Sequence, residues 1–563
     1  MGCEAQSAAI PGGIASICNE ADRPNTGCDR REGVVQRFLS RTALSLRLVP
    51  AAFAVLASGC MIGPVYHRPQ MAVPAQWKER SDWIQAEPAA EAPKGDWWSV
   101  FHDPLLDELE PLIEVSNQTV RQSYANYQEA LAAIDRASAG LFPTLGLAGG
   151  VSNTAQHWTL GLNHSSDYEV RFYNDSTTQA LQMRINWAPD LWGQVLRQIE
   201  QRSAAAQADE ATLINATLSA QIALANAVIN LRVTDANIDL LTQTVDAYKD
   251  FLRVVSDQDQ VGMIPPSDLV LARTQLVSAQ AKLIGLGVAR AQYQHAIAVL
   301  AGRNPEEIRI AHSVRLPVLP KIPAGVPSTI LQRRPDIAAA ERQMAAANAA
   351  IGAATAAYFP SISLSSVLDG VTLAPVVRIL RTKSYTWALG ESATVTLFDG
   401  GMRSAKVKAA RANYDATVAN YRGTVLRAFQ NVEDNLSSLH ALAQQAEALD
   451  GAVRHAKHGT QIAHDQYEAG TIDYATVATA QVAQLNTQRS ALGVLQKRLL
   501  GTAALIGNLG GGWSGALHDP LPQPAPDTHV NDAPETMASE EVPDQFSESA
   551  PERAKQSTVF KFN

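Results

Sequence analysis

The sequence predicts an α+β membrane protein: four strands per chain of a barrel that other copies complete, continued by long helices that extend the wall as a tube. Three observations predict it. Leu181, Met183, Ile185 and Trp187 alternate with Gln182, Arg184 and Asn186, the period of a two-faced strand. After Trp192-Gly193 no proline occurs until Pro265, and a seam of apolar or small residues runs from Leu213 through Leu224, Leu231, Leu241 and Tyr248 to Val255. Its 3.5-residue spacing is that of helices packed side by side. The third observation is that the same order of segments returns in the second half.

Composition narrows the class. Charged residues make up 18% of the 563, the formal net charge is −9, and the pI is near 5.8, so no basic footprint for nucleic acid is present. Mean hydropathy is −0.09 and no twenty-residue apolar run stands out, which argues against a helical membrane protein but leaves a β-barrel open. The four cysteines, Cys3, Cys18, Cys28 and Cys60, offer neither a disulfide framework nor a metal site to the chain that follows them.

Residues 1–59 read as an extension and a signal: Arg37, Arg41 and Arg47 precede the apolar run Leu48–Ala57, which ends Ser58-Gly59-Cys60. Residues 60–102 are rich in proline and are expected to lie extended along the outside of the body. Asp103-Pro104 is a cap and first-turn pair, opening a helix expected to run to about Ala139. A strand begins near Leu141-Phe142-Pro143. Residues 152–179 are expected to be a polar loop whose Trp158, Tyr168, Phe172 and Tyr173 sit at a membrane surface. The Ala180–Trp187 strand and the first long helix follow. Val261-Gly262-Met263 forms a tip turn, and a return helix from Asp268 to about Leu300 completes the first repeat, 103–301.

A proline-rich connector, 302–335, leads to the second repeat, 336–513. Tyr358-Phe359-Pro360 answers Leu141-Phe142-Pro143, and Phe398-Asp399-Gly400-Gly401 answers Leu191-Trp192-Gly193. Trp387, Leu389, Ala393, Val395 and Leu397 alternate with Thr394 and Thr396. Gly470-Thr471 answers the first tip, at nearly the same distance from its glycine start, which reads as an internal duplication. Residues 514–563 read as a disordered tail.

Each half supplies two strands, and four cannot close a barrel; an open sheet in lipid leaves unpaired edges. Three copies give twelve strands and an aqueous lumen, so a homotrimer is expected. Gln182, Arg184, Asn186, Thr394 and Thr396 would face the lumen, and Leu181, Met183, Ile185 and Trp187 the lipid.

These residues resemble an outer-membrane factor of the TolC/OprM type, in its NodT-like lipoprotein branch. The markers are Cys60 with Gly63-Pro64, Tyr66 and Arg68-Pro69; Trp97-Trp98, Phe101 and Asp103-Pro104-Leu105; Arg333-Arg334-Pro335-Asp336-Ile337; Tyr467 with Gly470; and Leu509-Gly510-Gly511-Gly512-Trp513. The resemblance implies a trimeric duct: a barrel in the bacterial outer membrane, a helical barrel in the periplasm, and docking to a periplasmic adaptor and an inner-membrane RND-type pump. It implies an exit path for drugs or other small molecules, with no cofactor beyond a covalent lipid on Cys60. Val261, Gly262, Met263, Gly470 and Thr471 carry over as adaptor-contact tips. Thr476 and Thr479 stand at the periplasmic aperture where relatives carry carboxylates, which implies weaker cation block.

The same residues admit other readings. A plain cleaved signal competes with lipidation at Cys60. His455, His458 and His464 read as a solvated helix face before a metal site, and Gly510-Gly511-Gly512 as a helix stop before a phosphate loop. Arg333-Arg334 reads as a brace for the connector before an anion site. No catalytic constellation stands out, so no enzyme is expected. A soluble coiled-coil scaffold leaves the strands unexplained, a lipid-anchored enzyme lacks its site, and a type I protein-secretion exit is the alternative duct.

Overall fold

Left-handed Gly193 and Gly401 open the two longest helices, and left-handed Gly262 and Gly470 lie in the turns that end them. The computed structural model describes residues 61–69, 71, 77–78, 96–161, 169–320, 334–372, 385–511 and 517–518, all within the unit Met1–Pro520. Cys60, Tyr168, Arg333, Gly512-Trp513 and the signal lie outside the described residues. The elements are α1 (Pro104–Ser116), α2 (Gln118–Ser138), β1 (Thr144–Gly161), β2 (Glu169–Trp187), α3 (Gln194–Gln260), α4 (Pro266–Leu300), α5 (Pro335–Ala356), β3 (Ser361–Thr372), β4 (Tyr385–Thr394), α6 (Met402–Glu468) and α7 (Tyr474–Asn508). Helices α3 and α6 each have 67 residues, a rise of ~100 Å. Each turns back into a helix of 35.

Helix α3 is the spine. Its seam is buried as the spacing predicts at Ala220, Leu224, Leu231, Leu241, Val245, Tyr248 and Val255. It also carries an apolar window of mean hydropathy 1.4. Leu218, Ala225, Val228, Ile229 and Val233 are buried as well, so much of this central stretch is a core helix enclosed by its neighbours.

Four expectations are corrected. The helix opened by Asp103-Pro104 is two helices, broken at Asn117, whose backbone is extended (φ −67, ψ 125). The Asn117 carboxamide accepts from the Thr119 and Val120 amides at 3.0 and 3.2 Å and donates to the Leu300 carbonyl at 2.8 Å, so a cap and a tertiary bond together outweigh helix continuity. The segment before Asp103 does contribute core residues. Trp97 (1% exposed) and Phe101 (0%) are buried against α3, and Trp97 Nε1 donates to Gln221 Oε1 at 3.2 Å; Trp77 is buried near Phe429. Proline denies such a segment regular structure but not aromatic anchors.

The remaining two corrections concern the sheet. Residues 152–161 and 169–179 are strand, because the β1–β2 pairing continues without a break to Gly161 opposite Glu169. Thr396 lies beyond β4. Thr394 pairs with Ser361, and the next position on β3 is Pro360, which has no N–H to offer.

Around α3 the other elements form a collar. Asp103 is bound by Arg232 at 2.8 and 3.1 Å, and fully buried Asp235 by Arg290 at 2.6 Å, His312 at 3.2 Å and the Ser313 amide at 3.1 Å. These clasps tie α1 and the connector to the spine. Arg334 pairs with Asp336 at 2.6 Å and donates to the Asn508 carbonyl at 3.0 Å, fastening the start of α5 to the end of α7. The chain after residue 60 seats on the same framework. Arg197 donates to the Ile62 and Gly63 carbonyls at 3.0 and 3.3 Å, and Asn348 to that of Pro64 at 3.1 Å. Gly63 has φ +118, and a Cβ there would stand 2.4 Å from Gly352 Cα, so both positions demand glycine.

Buried Glu110 is an exception to this pairing. Glu110 on α1 is fully buried, neither carboxyl oxygen has a hydrogen-bond partner, and burial pushes its pKa to about 9. A folded-state value above the unfolded one means that folding takes up a proton, so stability falls as pH rises from about 4.5 towards 9. Glu110→Leu is expected to raise stability at pH 7 by roughly 3 kcal/mol, with the gain shrinking towards pH 5. Denaturant melts at both pH values check this; an equal gain at each would contradict it.

Candidate functional site: the sheet faces and the helix tips

Among the described residues the strands form one antiparallel sheet in the order β1-β2-β3-β4. Its register sorts the side chains by face. Leu145, Ile185, Ser366 and Leu389 stand in one row, and Leu147, Met183, Leu368 and Trp387 in the next. Leu181, Trp187, Leu364 and Tyr385 share that face, which Ser366 and Glu391 interrupt. The opposite face carries Thr144, Asn186 and Ser365 in one row, Arg184 beside Val367 in another, and Gln182, Asp369 and Thr386 in a third. Gln182 donates to Asp369 across the strands, and the Ser363 and Ser392 hydroxyls bond at 2.7 Å. Gln182, Arg184, Asn186 and Thr394 therefore do share the polar face, and Thr396 does not reach it. Among the described residues no helix covers the apolar face: Leu145 is 69% exposed, Trp387 70% and Leu389 74%.

The sheet ends where the long helices begin. Trp187 Nε1 donates to the Leu141 carbonyl at 2.9 Å and Trp192 Nε1 to that of Pro360 at 2.6 Å, so indoles pin both Phe-Pro corners. The Ile62 amide points to the Trp192 carbonyl at 3.4 Å, which seats the chain after residue 60 beside this boundary.

The far ends of the helices are two copies of one turn. Gly262 (φ +71) donates to Asp259 O at 3.0 Å and Met263 to Gln258 O at 2.9 Å; Gly470 (φ +70) donates to Tyr467 O at 2.9 Å and Thr471 to Gln466 O at 3.0 Å. Both are Schellman caps, in which a left-handed glycine satisfies the last carbonyls. Val261 (69% exposed) and Met263 (73%) stand free at the first tip. The aperture candidates are both exposed on the first turns of α7. Thr479 Oγ1 donates to the Ala475 carbonyl at 2.8 Å. Thr476 donates its amide (3.0 Å) and hydroxyl (2.6 Å) to the Asp473 carboxylate, which these bonds hold below the usual carboxylate range.

An aromatic cluster between the tips was not foreseen. Phe251 stacks on buried Tyr474 at 4.9 Å and meets Tyr467 at 5.4 Å. Tyr467 donates to Gln258 Oε1 at 2.6 Å and Tyr474 to Gln275 Oε1 at 3.0 Å, bolting the two hairpins together. Burial raises the Tyr474 pKa, so the phenol stays a donor. The signal was present: Tyr467 and Tyr474 flank the second tip, and Phe251 lies outside its own seam. His464 also belongs here, against Phe251 at 6.0 Å and Glu468 at 3.5 Å, so one of the three helix histidines does have a carboxylate neighbour at i+4.

The family model described as outer membrane efflux protein matches residues 111–303 and 326–511. The probable efflux pump outer membrane protein TtgC of Pseudomonas putida is 29% identical over 485 residues, covering 84% of this chain and 96% of that protein. The cation efflux system protein CusC of Escherichia coli is 27% identical, covering 83% and 99%. The solved outer-membrane channel OprN superposes with a TM-score of 0.73 at 27% identity, over 81% of this chain and 100% of that one. On a match that spans both helical hairpins and the two-faced sheet between them, the chain belongs to the outer membrane efflux protein family.

Proposed function

We propose that the chain is one third of a passive exit duct for small molecules. Three copies form a twelve-stranded barrel in the outer membrane, and their helices continue it as a tube through the periplasm. The observation that carries this reading is the sheet: among the described residues one face is apolar and uncovered, the other is polar, and both outer edges are unpaired. In hydrocarbon an unpaired edge costs several kcal/mol per backbone group, and only ring closure removes it. The helices support the same closure. Val270, Val277, Ile284 and Val288 of α4 are 64%, 61%, 73% and 60% exposed, a near-heptad stripe that the next copy's wall would cover. The two 67-residue helices and their 35-residue returns support the internal duplication.

TtgC is named as part of an efflux pump and CusC as part of a cation efflux system, which supports partnership with a periplasmic adaptor and an inner-membrane pump, here of the RND type. Val261, Gly262, Met263, Gly470 and Thr471 would meet the adaptor at the exposed tips. The duct performs no catalysis and needs no cofactor. A lipid on Cys60 fits the seat of residues 61–63 at the boundary between sheet and helices, where acyl chains would enter the membrane leaflet directly.

In mild detergent the mass is expected to be that of three chains; a monomer with an intact fold would contradict the duct. Cells fed an alkyne-tagged palmitate should label the wild-type chain and leave Cys60→Ala unlabelled, and equal labelling of both would remove the anchor. In planar bilayers, titration with a multivalent cation should block conductance only weakly, because Thr476 and Thr479 offer hydroxyls in place of carboxylates; tight micromolar block would show that Asp473 or another acid lines the aperture.

A further inference from the structure

The two residues that interrupt the apolar face of the sheet are neighbours. Ser366 stands in the row of Leu145, Ile185 and Leu389, and Glu391 in the next row towards the helices, with Trp187 and Leu364. Ser366 pairs with Leu389 and Leu364 with Glu391, so the hydroxyl and the carboxylate lie on a diagonal of adjacent strands, their Cα atoms ~7–8 Å apart. Glu391 is exposed and Ser366 half-buried, and among the described residues neither side chain has a hydrogen bond or an ion pair. The row on the other side of them, Leu147, Met183, Leu368 and Trp387, is apolar throughout. Strand β4 ends at Thr394, so this polar notch lies at the foot of the sheet, beside the start of the helices.

A carboxylate on a face that meets lipid is costly unless a cation meets it there. The other charges of these strand rows, Arg184 and Asp369, belong to the opposite face. Ring closure would bring β1 of the next copy alongside β4, and the same face of β1 carries Leu145, Leu147, Gly149 and Val151, so that strand supplies no cation either. The lipid itself is left as the source. Along the strands the face passes from apolar rows to a hydroxyl and then to a carboxylate, with ~7 Å between rows. An ethanolamine phospholipid in the leaflet nearer the helices runs in the same order: acyl chains, a phosphate that accepts a hydrogen bond, then an ammonium that donates to a carboxylate. A glycerol phospholipid carries the same phosphate but ends without a cation, and would set its negative charge beside Glu391.

We propose that Ser366 and Glu391 form a seat for the headgroup of an ethanolamine phospholipid, the carboxylate taking the ammonium and the hydroxyl the phosphate. This rests on the reading of the apolar face as the lipid-facing wall of a three-copy duct, and the two fail separately. Full-length wild type, Glu391→Gln, Glu391→Lys and Ser366→Ala are placed in micelles holding equal amounts of ethanolamine and glycerol phospholipids with the same acyl chains, and the lipids retained are counted by native mass spectrometry. The wild-type assembly should keep the ethanolamine lipid over the glycerol lipid by roughly fivefold, the upper range for an exposed ion pair. Glu391→Gln should bring that ratio close to one and Glu391→Lys should invert it. Ser366→Ala should lower the retention of both lipids, and unchanged retention would remove the hydroxyl from the seat. An even ratio in the wild type, or a preference that survives Glu391→Gln, would overturn the seat and leave the duct standing while three-chain mass persists. Loss of three-chain mass in Glu391→Gln alone would show that the carboxylate pairs across the seam between copies, which also overturns the seat. Loss of that mass in the wild type would remove the duct and the seat with it.

Discussion

An antiparallel sheet with two open edges cannot rest in hydrocarbon, and much of this chain is arranged around that constraint. Water satisfies the edge N–H and C=O groups of a soluble protein; lipid does not. The described residues include four strands whose rows are apolar on one side and polar on the other, so the sheet as a whole has the two faces of a piece of wall. Its short edge strand β4 has 10 residues and its long edge strand β1 has 18, so under the proposed closure a neighbour's β4 would cover only part of β1.

The helical half is held by a different chemistry. The collar uses buried charge: Asp103 with Arg232, and Asp235 with Arg290 and His312. Breaking one partner of such a pair costs far more than the pair contributes, which makes the clasps devices of registry between spine, first helix and connector. Toward the tips the charges give way to the Phe251, Tyr467 and Tyr474 rings and two glycine-capped turns. Aromatic contacts tolerate sliding better than bidentate ion pairs do, so the rigid collar and the tips differ in kind.

The sequence was legible where periodicity is strict. The Leu181–Trp187 alternation, the Leu213–Val255 seam and both tip glycines read directly, because each follows from local geometry. It was opaque where one residue overrides its surroundings. Asn117 interrupts an apolar spacing that continues across it, and its partner, the Leu300 carbonyl, is 183 residues away. Thr396 continues an alternation whose partner strand has already stopped at Pro360. Residues 152–161 and 169–179 looked like loop because Ser, Thr, Asn and Asp fill them, and only pairing with each other makes them strand. Trp97 and Phe101 were hidden by their proline-rich context, since anchoring requires a groove that no local pattern announces.

The most direct measurement is an electron cryomicroscopy map of the detergent-solubilised protein, read at the level of Ile185 and Leu389. Twelve strands around one axis, with β1 of each copy hydrogen-bonded to β4 of the next, is the predicted section. A four-stranded sheet folded back onto the helices of its own chain, with Trp387 and Leu145 buried inside a water-soluble body, would contradict the account.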